Sequence, residues 1–446
     1  MAVENQPTRH PATKLEAQVD LVVQGLGQSR PPRQVDVAPA DWRASGAVDY
    51  LYQRDAILVR DQDLDRVRAL LLDDVVLDSL INGLTLLSFR GVLDDGEERR
   101  GIPVPEVLAV LDRLLGTGVA TPNHVVSITP GSFCPATEPE ETGATEPDPD
   151  VCPGQQGGAG VLTAVVDTGL LADAPSQHGW LAGVQGRIED PFDGGGVIRP
   201  YAGHGTFIAG VLRCMAPASE VFVERVFQQG GALLESDLVE GLDRVLDRNP
   251  DVISLSAGTR TWSNLPLLSF EAFWEGRLRH YKGVALVAAA GNDGDRGPFW
   301  PAAFPWTVSV GALAANWRSR ASFSNHGGWV DVYAPGEGLV NAYATGTFVC
   351  QEPPHAGERR RFQGMARWSG TSFSTPLVAG LVAARMSRTG ENGRQASEAL
   401  LAGARARALP GVGAVLLPCG GDGDGSGCGC GQPHGCRGHH HAHVPR

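Results

Sequence analysis

From residue 160 onward the chain alternates between two hydrophobic rhythms. Short runs of β-branched and small apolar residues ("VLTAVVD", 161–167; "EVFVERVF", 220–227; "DVISLS", 251–256; "GVALVAAAG", 283–291) are separated by stretches with apolar positions every three or four residues ("HGTFIAGVLRCM", 204–215; "SDLVEGLDRVLDR", 236–248; "LSFEAFWEGRLRHY", 268–281). The first rhythm predicts buried strands, the second amphipathic helices. Strands apolar on both faces and joined through helices predict an α/β domain with a mainly parallel sheet covered on both sides. Ligands of such sheets gather beyond the carboxyl ends of the strands, so the residues that end each strand carry the functional interest.

The pattern before residue 160 is different. Over 51–130 the order is a strand ("AILVRD"), a helix ("DLDRVRALLLD"), one or two strands ("LTLLSFRG"), a helix opened by proline ("PVPEVLAVLDRLLG") and a strand ("HVVSIT"). That order predicts a small α+β sandwich of ferredoxin-like type preceding the large domain. Residues 1–50 are polar and irregular, with "RPPRQ" as a breaker cluster, and are expected to be a flexible arm. Residues 131–159 are acidic and rich in Pro and Gly, with no large apolar residue between Cys134 and Val151, which predicts an exposed linker. The large domain is expected over 160–410, followed by a Gly/Cys/His-rich tail over 411–446.

Composition narrows the function. With 446 residues, 42% of them hydrophobic, the chain can bury the cores of one large and one small domain. A formal net charge of −13, with no Lys/Arg block of five or more, excludes a general nucleic-acid binder. The first twenty residues contain no apolar core of a signal peptide, and no run of eighteen apolar residues follows, so no membrane partner and a cytoplasmic location are expected. Four of the eight cysteines (Cys419, Cys428, Cys430, Cys436) fall in the last 28 residues, a distribution that suits a reducing compartment better than a disulfide framework. Together with His434, His439, His440, His441 and His443 they could hold zinc, but the glycine content and the "CGC" spacing favour a disordered tail.

Four residues at element ends carry the candidate chemistry. Asp167 ends the strand "AVVD", His204 opens the helix "HGTFIAG", Asn292 follows the strand "ALVAAAG", and Ser372 stands in "GTSFSTP" where a small-residue turn meets a helix. Each alone has a bland explanation: a turn cap, a helix-start residue, a turn amide, an N-cap. Together they supply an acid to orient an imidazole, an imidazole to take a proton, a hydroxyl to attack, and a donor where an oxyanion grows.

The blocks "VVDTG", "HGTFIAG", "AAAGN" and "GTSFSTP", in that order, resemble the signature blocks of the subtilisin-like serine peptidases, over roughly residues 160–390. The resemblance implies a serine endopeptidase acting on peptide or protein substrates through Asp167, His204 and Ser372. The oxyanion hole would be formed by Asn292 and the Ser372 N–H. It also implies that Ser256, Ala257 and Gly258 on one side, and Ala290 and Gly291 on the other, wall the pocket for the side chain before the scissile bond. Because Gly258 and Ala290 are small, that pocket is expected to be deep enough for a large apolar side chain. Family members commonly have methionine where this chain has Phe373. No cofactor is required for the chemistry; many relatives carry calcium, but "NDGDRG" after Asn292 reads as a turn, and metal sites stay unknown. Relatives often carry a ferredoxin-like propeptide, which implies that the N-terminal domain is an inhibitor of its own chain, released by cleavage between Ile128 and Gly160. The alternatives are a catalytically silent peptide-binding module and a maturation protease dedicated to one precursor. An α/β-hydrolase esterase is excluded because no G-x-S-x-G elbow surrounds Ser372.

Overall fold

The computed structural model describes residues 13–71, 75–80, 83–89, 103–128, 137–152, 156–227 and 229–418. The centre of the large domain is a seven-stranded, wholly parallel sheet. Its order is Val332–Pro335, Thr307–Leu313, Ala285–Ala289, Val252–Leu255, Leu162–Asp167, Glu220–Arg225 and Gln185–Gly186. Side chains alternate between its two faces. Val165 packs with Phe207, Leu212 and Leu377 on one side, while Ala164 and Val166 pack with Leu238, Leu242 and Phe270 on the other. Chain order reverses between Leu162–Asp167 and Val252–Leu255. A reversal of this kind opens a crevice at the strand ends, and here Asp167 and Ser256 border it.

On the first face, helix His204–Met215 packs against helix Thr371–Thr389. Gly380 sets how closely they approach, since a methyl group there would stand 2.7 Å from the Leu212 carbonyl oxygen and from the Met215 Cβ. The two helices start at opposite sides of the crevice. A hairpin, Leu339–Val349 with Arg359–Trp368, flanks them and was not anticipated from the sequence.

In the N-terminal part, strands Tyr50–Arg60, Val75–Ser79, Leu84–Phe89 and Ala120–Ser127 alternate with helices Leu64–Arg68 and Val104–Leu115. They pair antiparallel in the order Ala120–Ser127, Tyr50–Arg60, Leu84–Phe89, Val75–Ser79, which is the split βαβ arrangement of a ferredoxin-like sandwich. Strand Val75–Ser79 was not anticipated; it is an edge strand with no buried residue. The sheet continues beyond this domain: Ala232–Leu234, from the large domain, pairs antiparallel with Val125–Ser127.

Three boundaries differ from expectation. The arm over 1–50 is structured from residue 13: helix Lys14–Gly27 starts with a Thr13/Glu16 capping box and buries Leu15, Val19, Val22 and Leu26 against Trp42, Val125 and Leu234. The linker over 131–159 is laid on the large domain through its described part. Backbone pairs Glu140–Arg367 and Asp148–Val340 tie it to the hairpin, and Pro147 and Pro149 are buried while Asp148 between them is exposed. The large domain runs past 410, since Ala414 and Leu416 are buried and hydrogen-bond the Tyr333 backbone on either side. The Cys/His-rich residues from 419 on lie outside the described residues, and so does the zinc reading. Among the described residues no helix is long and apolar enough to cross a membrane.

Candidate active site

Asp167 is the last residue of its strand and has no solvent exposure. Its Oδ1 accepts from His204 Nδ1 at 2.8 Å and from the Thr168 N–H at 2.8 Å. A buried carboxylate is tolerable only when held by such donors. His204, the first residue of its helix, is 3% exposed and boxed by aromatic rings: Trp368 edge-on at 5.3 Å between centroids and Phe373 at 5.3 Å. Phe373, at the position where methionine is common, thus forms one wall of the imidazole's enclosure.

The loop that delivers His204 is fastened by Glu189. Its Oε2 accepts from the Gly203 N–H at 2.9 Å and from Thr168 Oγ1 at 3.1 Å, while the Gly205 N–H donates to the same hydroxyl at 3.1 Å. Burial pushes the Glu189 carboxyl up to about 8, with the nearby Asp167 charge adding to the effect. At neutral pH Glu189 is therefore largely uncharged, which spares the site a second buried anion beside Asp167.

Ser372 is the second residue of helix Thr371–Thr389, where free N–H groups and the helix dipole favour a developing negative charge. It is 3% exposed and lines one cavity together with His204, Trp368 and Phe373. Ser256 Oγ donates to the Ser372 carbonyl oxygen at 2.8 Å, so Ser256 braces the serine's backbone. Asn292 Oδ1 accepts from the Thr371 N–H at 2.8 Å and from Thr371 Oγ1 at 2.9 Å, which makes the amide nitrogen the end not engaged by Thr371. The structure thus brings Asp167, His204, Ser372 and Asn292 to one end of the sheet.

The five candidate wall residues, Ser256–Gly258 and Ala290–Gly291, follow two adjacent parallel strands, and the gap between Gly258 and Gly291 is occupied. The Phe299 ring packs against Gly258 and Gly291, so the deep pocket expected from two small walls is filled by the chain's own aromatic. Periodicity could not find Phe299, which lies in the irregular segment "NDGDRGPFWP". Glu189 likewise escaped, because nothing in "GRIEDPF" marks its glutamate as buried.

The cleft also holds a strand. Ser127 and Gly258 exchange both backbone hydrogen bonds, at 3.1 and 3.0 Å, and the Ile128 N–H donates to the Gly231 carbonyl at 2.9 Å. Residues Val125–Ser127 therefore run between Ala232–Leu234 and Gly258 as an added antiparallel strand. Ile128, Leu21 of the first helix and Thr137–Pro139 line the same cavity as His204 and Ser372. Glu352 ties that helix down, accepting from Gln18 Nε2 at 2.9 Å and pairing with Lys14 Nζ at 3.2 Å. Among the described residues no group of three or more His, Cys, Asp or Glu side chains could hold a metal ion.

Fold and site together define a serine hydrolase built on a parallel α/β sheet. The chain belongs to the subtilase family, whose sequence model (Peptidase S8) matches residues 158–412, and it is a subtilisin-like serine endopeptidase. It is 30% identical over 253 residues to thermitase of Thermoactinomyces vulgaris, covering 54% of this chain and 81% of thermitase. It is 32% identical over 233 residues to an extracellular serine proteinase of Thermus sp. (strain Rt41A), covering 51% of this chain and 50% of that one. Among solved structures, fervidolysin from Fervidobacterium pennivorans, described as a keratinolytic enzyme related to subtilisin, superposes with a TM-score of 0.53 at 18% identity. That match covers 82% of this chain and 60% of fervidolysin, and it is a likeness of fold.

Proposed function

We propose that this chain cleaves peptide bonds through Asp167, His204 and Ser372, and that its N-terminal domain keeps it latent. Ser372 Oγ attacks the scissile carbonyl carbon while His204 Nε2 takes the hydroxyl proton. Asp167, bonded to Nδ1, fixes the tautomer and stabilises the imidazolium that forms. The tetrahedral oxyanion receives hydrogen bonds from the Ser372 N–H and the Asn292 amide. Collapse of the intermediate breaks the C–N bond, with His204 returning its proton to the leaving amine. Water activated by His204 then attacks the acyl-enzyme carbonyl, and the serine leaves with the proton.

The observation that carries latency is the strand Val125–Ser127, paired on both sides and extended by the Ile128 bond, in the cleft where an extended peptide would bind. Cleavage within 129–159 would separate that strand from the large domain's chain and allow it to leave. The test is fluorophosphonate labelling and peptide hydrolysis by the full chain, before and after a protease cuts within 129–159, with Ser372→Ala as the control. Slow labelling that accelerates on cutting, absent in the control, is the expected result. Equal labelling of intact and cut chains overturns latency, and labelling of no form overturns the role of Ser372.

A further inference from the structure

The candidate walls of the first pocket, Ser256–Gly258 and Ala290–Gly291, follow two adjacent parallel strands, and a phenylalanine lies between Gly258 and Gly291. A methyl group built on Gly258 would stand 2.2 Å from Phe299 Cε1 and 2.7 Å from Cδ1; one built on Gly291 would stand 3.0 Å from Cδ1 and Cγ. Distances this short mean that the ring already touches both glycine α-carbons, so only glycine at each wall leaves room for it. Phe299 is 1% exposed.

Its position is fixed by the next residue. Trp300 and Thr259 exchange backbone hydrogen bonds at 2.8 and 2.9 Å, which ties the Phe299 segment to the same strand end that carries Gly258. The Trp300 ring packs on Phe304, 4.6 Å between centroids and near edge-on, behind it. With its backbone held in this way, the ring could leave only by rotating about its own side-chain bonds, which would open a void against the Gly258 and Gly291 backbones.

We infer that Phe299 is the specificity-determining residue of this peptidase: it closes the pocket for the side chain before the scissile bond and restricts that position to glycine, alanine or serine. The inference rests on the peptidase reading of Ser372 and narrows its substrate class. A hydrophobic pocket discriminates by roughly 10- to 200-fold per methylene, so an aromatic side chain that must displace Phe299 is disfavoured by on the order of 10²-fold or more.

The test compares two matched fluorogenic substrates, acetyl-Val-Ser-Ile-Ala-aminomethylcoumarin and its counterpart ending in Phe, on the full chain. Taking the ratio of kcat/KM on one protein cancels whatever fraction of the cleft is open. The wild-type protein is expected to prefer the Ala substrate by about 10²-fold or more. Phe299→Gly is expected to reverse the order by admitting the phenyl ring, and Phe299→Ala to fall between. Fluorophosphonate labelling of Ser372 reports which variants are assembled; should Phe299→Gly fail to label, the wild-type ratio and Phe299→Ala decide. A wild-type preference for Phe, or a ratio unchanged in a labelled variant, overturns the inference and leaves the peptidase reading intact. No labelling of any form, wild type included, before or after a cut within 129–159, overturns both.

Discussion

His124 and Glu235 meet with Nδ1 2.8 Å from Oε1, and neither side chain has any solvent exposure. The imidazole belongs to the last strand of the N-terminal sheet, while the carboxylate opens helix Glu235–Leu246 of the large domain. Glu235 also accepts from the His124 N–H at 3.1 Å, Ser269 Oγ at 2.6 Å and the Ser269 N–H at 3.3 Å, and His124 Nε2 accepts from the Trp262 N–H at 3.0 Å. One carboxylate thus joins the N-terminal sheet to the starts of two helices. Around it Leu58, Leu84 and Leu86 pack on Leu268 and Ala272, and Arg60 pairs with Glu271 and Glu275.

Removing the imidazole should loosen that joint. In His124→Ala the Trp262 N–H and one Glu235 oxygen lose buried partners, at a cost of about 1–3 kcal/mol. The thermal transition of the full chain should fall by several degrees, and fluorophosphonate labelling of the uncut protein should accelerate as the strand leaves the cleft more often. Calorimetry and a labelling time course check this; unchanged values in both would show that the pair does not hold the domain down.

Asn292 braces Thr371 through Oδ1, and in the proposed mechanism its amide nitrogen separately serves the oxyanion. Asn292→Ala should lower kcat by about 10²- to 10³-fold with little change in KM, because the donor acts only on the developing charge. Asn292→Asp keeps the acceptor for Thr371 but replaces the donor with a negative charge, so it should be at least as slow. Recovery of activity in Asn292→Asp would assign the residue to bracing alone.

Glu189 predicts a pH dependence of stability. Its carboxyl is pushed up to about 8 in the folded chain from an ordinary 4.5, so between those values the folded state holds a proton that the unfolded state has lost. The contribution is fully present below about pH 4.5 and is lost as pH rises through about 8. Glu189→Gln, which keeps an acceptor for the Gly203 N–H and Thr168 Oγ1, should flatten the stability profile between pH 5 and 8. Urea unfolding at several pH values measures this, and parallel profiles for the two proteins would count against it.

The site was legible because its parts are local. A strand that must be buried shows its apolar run, and the residue that ends it, Asp167, is read directly. Asn292 follows its strand in the same way, while His204 and Ser372 announce helix starts by their neighbouring glycines and the periodicity beyond. Helix Lys14–Gly27 was equally local, with Thr13 and Glu16 spaced as a capping box and apolar residues at 15, 19, 22 and 26, but the polar, proline-bearing surroundings masked it. Its burial depends on Val125 and Leu234, far along the chain.

The sequence by itself determined the alternation of strands and helices in the large domain, the family and the candidate residues for the chemistry, since each rests on side chains within one strand, turn or helix start. Tertiary structure alone decided what fills the site. Val125–Ser127 finds Ala232–Leu234 more than a hundred residues away, Glu189 is buried by elements it does not adjoin, and Phe299 enters a pocket whose walls come from two other strands. Backbone hydrogen bonding and close packing are indifferent to sequence separation, so no local pattern records which distant segment will satisfy a strand edge or occupy a void.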